Sequence, residues 1–373
     1  MIKRTIDEQI KSDMFRGKAI LIYGARQTGK TTLVHEILKN RNDILFLNGD
    51  EPDICEMLRN ITSTKWKKLI GKNKIVFIDE AQRIDNIGLA IKLITDLLTD
   101  IQVIATGSSS FELANRSNEP LTGRKYIYHL YPFSFEELCK EIGIIEEKRN
   151  LDFRLVYGYY PEIALCNGEE QRLLKLLAES FLFKDLLILD SIKKPSILTK
   201  ILRALAFQIG NEVSYNEIAQ LVGSNKNTVE KYIDLLEKVF IVFSLPALSR
   251  NVRNEIKKSK KIYFYDNGIR NAIIGNFQNI ESRTDSGSLW ENFLVSERIK
   301  FLSNNMIDAN VYFWRTTQQQ EIDFIEEHET VLNAFEFKWN NKRNVRFPKT
   351  FLKAYPQHNL KTITPSNIED FLL

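Results

Sequence analysis

Cysteine and histidine are scarce in this 373-residue chain. Three cysteines, Cys55, Cys139 and Cys166, lie far apart with no C-x-x-C, and four histidines show no metal-ligand spacing. That excludes a disulfide framework and a structural zinc site, and it suits a reducing cytosol. Long apolar runs are also lacking: no stretch reaches the ~18 uncharged residues of a membrane span. The start, Met1-Ile2-Lys3-Arg4-Thr5, leads into acidic and polar residues where a secretory signal would carry an apolar core. A cytoplasmic protein without a membrane partner is expected. Charge of one sign is not in excess, with 52 Lys and Arg against 48 Asp and Glu. A net charge of +4 gives no global field that commits the chain to nucleic acid, so charge informs only by position. Repeats and low-complexity tracts are missing. What remains, 43% apolar and 27% charged residues, is globular composition at a length for two or three domains.

Against that background one segment stands out. Gly24-Ala25-Arg26-Gln27-Thr28-Gly29-Lys30-Thr31 fits G-x-x-x-x-G-K-[ST] directly after the apolar run Ala19–Tyr23. The glycines let successive backbone N–H groups, through Thr32, face a β-phosphate at the positive end of a helix expected over 30–39. Lys30 adds a charge on the β- and γ-phosphates, and the Thr31 hydroxyl is placed to ligate Mg²⁺. ATP and Mg²⁺ are the expected ligands. Short apolar runs at 19–23, 44–47, 75–78, 102–105 and 126–130 alternate with segments of helical period, the pattern of a parallel sheet covered by helices. The third run ends in Asp79-Glu80: Asp79 is expected to hold the Mg²⁺ shell and Glu80 to polarise the attacking water. The fourth ends in Ala105-Thr106-Gly107-Ser108, where Thr106 or Ser108 is a candidate γ-phosphate sensor or an ordinary turn and cap residue. Arg124, before the fifth run, either stabilises transition-state charge, in cis or from a neighbouring subunit, or pairs with a carboxylate.

Beyond Pro132 the chain turns helix-rich, with helices expected over 135–142 and 170–189. In 213–245, Ser214 with Glu217 reads as a capping box over 215–221, Gly223 as a break, and Ser224 as the cap of a helix over 226–239. Strands at 240–245 and 261–265 would complete a winged helix-turn-helix. Ser282–Ser288 reads as a linker.

Y-G-A-R-Q-T-G-K-T-T-L, I-D-E-A-Q, A-T-G-S-S, L-T-G-R, L-Y-P-F-S-F-E-E-L and Y-F-Y-D-N-G-I-R together resemble the prokaryotic AAA+ ATPases that carry a C-terminal domain of unknown function. The resemblance spans nearly the whole chain. It implies an α/β protein with an AAA+ P-loop core over 1–133, a helical lid or connector over 134–195, a winged helix over 196–280, and a region similar to the PD-(D/E)XK nuclease fold over 281–373. It also implies that Lys30, Thr31, Asp79 and Glu80 are the nucleotide machinery, that Thr106 or Ser108 corresponds to sensor 1, and that Arg124 falls where arginine fingers occur. Tyr157-Gly158-Tyr159-Tyr160-Pro161-Glu162 departs from relatives that often have paired glycines there, and no residue is assigned as sensor 2.

Residues 289–340 form a second candidate site on their own. Glu291 lies on an expected helix, Asp323 in a strand-like run, and Glu336 and Lys338 on one face of another strand whose other face carries Phe335, Phe337 and Trp339. Asp323 and Glu336 would bind Mg²⁺, with Glu291 nearby, while Lys338 orients or deprotonates water for phosphodiester attack. A solvated strand face gives the same letters. Basic clusters, Arg250, Arg253, Lys257, Lys258, Lys260 and Lys261, then Lys342, Arg343, Arg346, Lys349 and Lys353, would attract a phosphate backbone. The expected function is a Mg²⁺-dependent AAA+ ATPase whose nucleotide state controls the C-terminal regions, with DNA or another nucleic acid and a second copy of the chain as candidate partners. The rivals are a nucleotide-operated DNA-binding switch with little turnover and an ATP-gated nuclease in a defence role.

Overall fold

The computed structural model describes residues 2–108, 121–180, 194–249, 260–340 and 346–373. The expected helical stretch 181–189, Arg250, Arg253, Lys257, Lys258, Lys342 and Arg343 fall outside them. The chain divides into two compact units, one of residues 3–131 with 238–240, the other of 132–237 with 241–373.

In the first unit the order is α1 (Asp7–Asp13), β1 (Ala19–Tyr23), α2 (Lys30–Leu38), β2 (Ile44–Asn48), α3 (Pro52–Arg59), α4 (Ser63–Ile70), β3 (Ile75–Asp79), α5 (Ile87–Leu97), β4 (Gln102–Gly107) and β5 (Lys125–His129). All five strands are parallel, in the order β2-β3-β4-β1-β5. Continuous burial of β1, β3 and β4 follows from helices on both faces, which is why these strands read as unbroken apolar runs. Alternate residues feed two cores: Leu21, Val76, Ile78 and Ala105 pack with Trp66 and Ile91, and Ile20, Ile22, Phe77 and Ile104 with Ile10 and Val34. The β4 strand therefore separates the loop-bearing β1 from β3, and the carboxyl ends of all three lie along one edge.

The second unit begins with α6 (Phe135–Ile142), α7 (Ile144–Arg149), α8 (Leu151–Tyr157), α9 (Pro161–Ala164), α10 (Glu170–Ser180) and α11 (Pro195–Phe207). There follow β6 (Glu212–Val213), α12 (Tyr215–Val222), α13 (Lys226–Lys238), β7 (Val242–Pro246), β8 (Lys260–Phe264) and α14 (Asn267–Ile274). Ser214 caps α12 through the Glu217 N–H, and Gly223 ends it in the left-handed region. The cap of α13 is Asn225 and not Ser224: the Asn225 carboxamide accepts from the Thr228 N–H at 2.9 Å. Strands β6, β8 and β7 form an antiparallel sheet. The last stretch is α15 (Ser286–Asn304), β9 (Asn310–Arg315), β10 (Glu321–His328), β11 (Val331–Phe337), α16 (Lys349–Ala354), β12 (His358–Ile363) and α17 (Glu369–Leu372). Its sheet runs β12-β11-β10-β9, antiparallel except for the β11–β12 pair.

Residues on both sides of the boundaries expected near 195 and 280 pack together. Phe135, Leu155, Tyr159, Phe243, Tyr263, Trp290, Phe324 and Phe371 share one core. Of the expected linker at 282–288, residues 286–288 open α15, and Arg283 and Asp285 are anchored just before it. Arg283 is buried and binds Asp285 at 2.8 Å, while Asp285 also pairs with Arg270 at 2.6 Å. Two arginines on one carboxylate hold it below the ordinary aspartate range, at about 2, against the opposing effect of burial.

A buried polar clamp accounts for the D-N-G-I-R segment. Asp266 accepts from the Tyr159 N–H at 2.7 Å and from the Ile269 N–H at 3.1 Å, so it ties the end of α8 to the start of α14. Asn267 donates to the Leu289 carbonyl and Asn271 to the Val156 carbonyl. Asn292 exchanges hydrogen bonds with the Phe264 backbone, at 2.8 and 3.0 Å. Asp266, Asn267, Asn271 and Asn292 each have partners here, which offsets their desolvation.

Candidate functional site

The P-loop hangs between the end of β1 and α2. Gly24 has no room for a side chain: a Cβ there would stand 2.0 Å from the Leu130 carbonyl oxygen. Gly29 has φ +90°, a conformation that glycine reaches without strain. Thr28 closes the loop internally, its hydroxyl on the Ala25 carbonyl at 2.9 Å. Arg26 is partly buried and Gln27 and Thr32 are exposed along the cradle. The Lys30 ammonium donates to the Gly24 and Ala25 carbonyls at 2.9 and 2.8 Å, so it lies within the loop whose phosphate it is expected to meet. Arg4, which no motif singles out, buttresses the loop by donating to the Thr28 and Tyr131 carbonyls at 3.0 and 2.6 Å.

Beside Thr31 stands Asp79. It accepts from the Thr31 hydroxyl at 2.8 Å and, by its other oxygen, from Thr106. A hydroxyl and a carboxylate side by side are the oxygen donor set of a hard cation, so these residues fit Mg²⁺. Thr106 is thus engaged by Asp79, and Ser108 is the hydroxyl that reaches the neighbourhood of Glu80. Gln82 links them: its Nε2 donates to Glu80 Oε2 at 2.6 Å and to Ser108 Oγ at 3.2 Å. Glu80 has φ +48°, a sparsely populated state for a non-glycine residue and one that recurs at functional sites.

Arg124 is placed elsewhere. Its carbonyl accepts from the Ala19 N–H, at the amino end of β1, four residue steps or roughly 13 Å from the loop end of the strand. An arginine side chain does not cover that distance, so the expectation of a cis role fails on geometry. Within its own chain Arg124 pairs with Asp96 at 2.5 Å.

In the second unit Asp323, Glu336 and Lys338 converge. Asp323 Oδ2 accepts from the Phe337 N–H at 2.8 Å; Lys338 Nζ lies 2.8 Å from Glu336 Oε2 and 3.8 Å from Asp323 Oδ2. Phe335 and Phe337 face the core on the other side of β11. The charge of Glu291, on α15, acts on all three. Glu291 accepts from Lys261 at 2.9 Å and from the Tyr263 hydroxyl at 2.6 Å. Among the described residues no three His, Cys, Asp or Glu side chains are grouped to hold a metal. Lys261, expected in a phosphate-attracting surface cluster, is only 1% exposed and also pairs with Glu321. Burial opposes its charge, but Glu291, Glu321 and Asp323 outweigh burial and raise its pKa above the ordinary lysine value. Of the second basic cluster, Arg346, Lys349 and Lys353 are exposed.

Burial and the adjacent Glu336 charge push Asp323 from 3.8 up to about 6, against the pull of Lys338 and Lys261. A carboxyl raised on folding favours the folded state below its unfolded pKa, and this contribution is lost as pH rises through about 6. Asp323→Asn removes that cost and keeps an acceptor for the Phe337 N–H. It is expected to stabilise the protein at pH 7.5 by on the order of 1–3 kcal/mol in urea unfolding, with the gain shrinking toward pH 4. A destabilised variant at pH 7.5 contradicts this.

Comparison with known proteins gives three family-model matches: "AAA domain" over residues 16–139, and two domains of unknown function, DUF8612 over 148–279 and DUF4143 over 286–368. An uncharacterized protein of Mycobacterium tuberculosis is 24% identical over 340 residues, which is 90% of this chain and 74% of the relative. An uncharacterized protein of Methanocaldococcus jannaschii is 27% identical over 316 residues, 73% of this chain and 65% of that one. Among solved structures, a Walker-type ATPase of Pyrococcus abyssi superposes with a TM-score of 0.50 at 15% identity, over 74% of this chain and 96% of its own. The parallel sheet with its P-loop thus has the fold of AAA-type ATPases. No described helix is long and apolar enough to cross a membrane.

Proposed function

We propose that this chain is a Mg²⁺-dependent ATPase whose nucleotide state acts on the helical, winged-helix and C-terminal regions. The observation that carries the reading is the grouping of Lys30, Thr31, Asp79 and Glu80 along one edge of the sheet. Backbone N–H groups of residues 24–32 and the Lys30 charge bind the phosphates; Thr31 and Asp79 hold Mg²⁺, which when bound draws charge off the transferring phosphoryl group. Glu80 takes a proton from the attacking water, and Ser108 is placed to sense the γ-phosphate. The placement of Arg124 away from its own loop suits a second copy of the chain as the partner whose nucleotide it contacts. A switch that binds and retains nucleotide is the competing account, and counting phosphates released per chain separates the two.

A second reading concerns the C-terminal site. The order helix, three antiparallel strands, helix and parallel strand, with D-x12-E-x-K on adjacent strands, supports a PD-(D/E)XK-like region that takes a divalent cation and a nucleic acid. Asp323→Asn tests it as well: Mn²⁺-supported cleavage of DNA or RNA is expected to vanish in the variant while ATP turnover remains. No metal binding by calorimetry and no cleavage by the unaltered protein leave a scaffold for binding alone.

A further inference from the structure

Gln82 belongs to no phosphate-binding pattern, yet it is the side chain that joins the two groups nearest the reaction. Its two amide hydrogens are both committed, to Glu80 Oε2 at 2.6 Å and to Ser108 Oγ at 3.2 Å. A carboxylate accepts only, so the amide nitrogen must face Glu80 and the orientation of the carboxamide is fixed. That leaves Oε1 as a buried acceptor with no hydrogen-bond partner among the described residues. A buried acceptor without a donor is costly, and in native proteins it asks for an explanation. Here it lies beside the residue read as the water-polarising carboxylate, at the carboxyl edge of the sheet where ligands of open α/β folds bind. The left-handed backbone at Glu80 and the short helical turn Ala81–Arg83 bring the two side chains together.

We propose that Gln82 is the water-positioning residue of the ATPase, presenting Oε1 to one hydrogen of the attacking water while Glu80 accepts the other. The inference rests on the ATPase reading. With both hydrogens directed, a lone pair of the water oxygen is free to face the γ-phosphorus. The new bond is from that oxygen to phosphorus; the bond from phosphorus to the β,γ-bridging oxygen breaks, ADP keeps the electron pair, and the water proton passes to Glu80. Holding a reactant in orientation acts on turnover and leaves binding nearly untouched. Through Ser108, the same amide couples the end of β4 to this arrangement.

The experiment compares kcat and KM of Gln82→Met and Gln82→Asn with those of the unaltered chain, together with calorimetric binding of a non-hydrolysable ATP analogue. Expected are at least a tenfold loss of kcat in Gln82→Met, a loss also in Gln82→Asn because the shorter side chain withdraws Oε1, and analogue affinity within twofold. A kcat within twofold of the unaltered value in both variants overturns the proposal. So does a parallel loss of turnover and analogue affinity in both, which would make Gln82 a structural part of the loop. Analogue binding without any turnover by the unaltered protein overturns the ATPase reading itself, and this inference with it.

Discussion

ATP turnover is expected to fall by about 10²–10⁴-fold when Glu80 is replaced by glutamine, with nucleotide affinity preserved. The substitution keeps the size of the side chain and removes only the capacity to accept a proton. Lys30→Ala has the opposite signature. Its ammonium is the charge inside the loop, bonded to the Gly24 and Ala25 carbonyls, and no other lysine of the motif can replace it. Loss of this charge abolishes binding and turnover together. Calorimetry with a non-hydrolysable analogue and steady-state phosphate release distinguish the two variants. Full turnover by Glu80→Gln would remove Glu80 from the mechanism.

The largest stability effect is expected at Gly158. It has φ +75°, and a Cβ built there would lie 2.1 Å from Asp266 Oδ1. Gly158→Ala must either strain the backbone or push Asp266 away from the Tyr159 N–H, leaving a buried donor and a buried carboxylate without each other. Burial already raises the Asp266 pKa, so losing a hydrogen-bond donor there is doubly unfavourable. A loss of about 3–5 kcal/mol is expected in urea unfolding. Since α8, α14 and α15 share this clamp, the transition should remain a single step for the second unit. A loss below about 1 kcal/mol would show that the clamp bears little of the stability.

The P-loop was legible because a local motif specifies it: glycine spacing, an apolar strand before and a helix after suffice to place Lys30 and Thr31 on the loop and helix. The strands of the parallel sheet were legible for a related reason, since burial on both faces makes each a short apolar run. Boundaries moved by only a residue or two, as at β5, which spans Lys125–His129 where the apolar run marks 126–130. What sequence did not reveal depends on partners distant in the chain. Lys261 sits in a run of basic residues and reads as surface, but Glu291, 30 residues on, and Glu321 draw it into the interior. Glu291 is thereby tied to Lys261 and Tyr263 as well. The Ser/Gly character of 282–288 reads as a linker because small polar residues open helices as well as loops, and only the contacts of Arg283 and Asp285 decide between them. Gln82 stands two residues past Asp79-Glu80, in plain view, but no spacing rule marks it; its significance lies in the geometry of Ser108, 26 residues away.

Phosphate released per chain, followed with excess ATP in Mg²⁺ and again in EDTA, separates an enzyme that turns over from a switch that holds its nucleotide. Many phosphates per chain are expected in Mg²⁺, linear in time, and none above background in EDTA. Release that stops at one phosphate per chain with nucleotide retained, or release indifferent to Mg²⁺, would contradict this expectation.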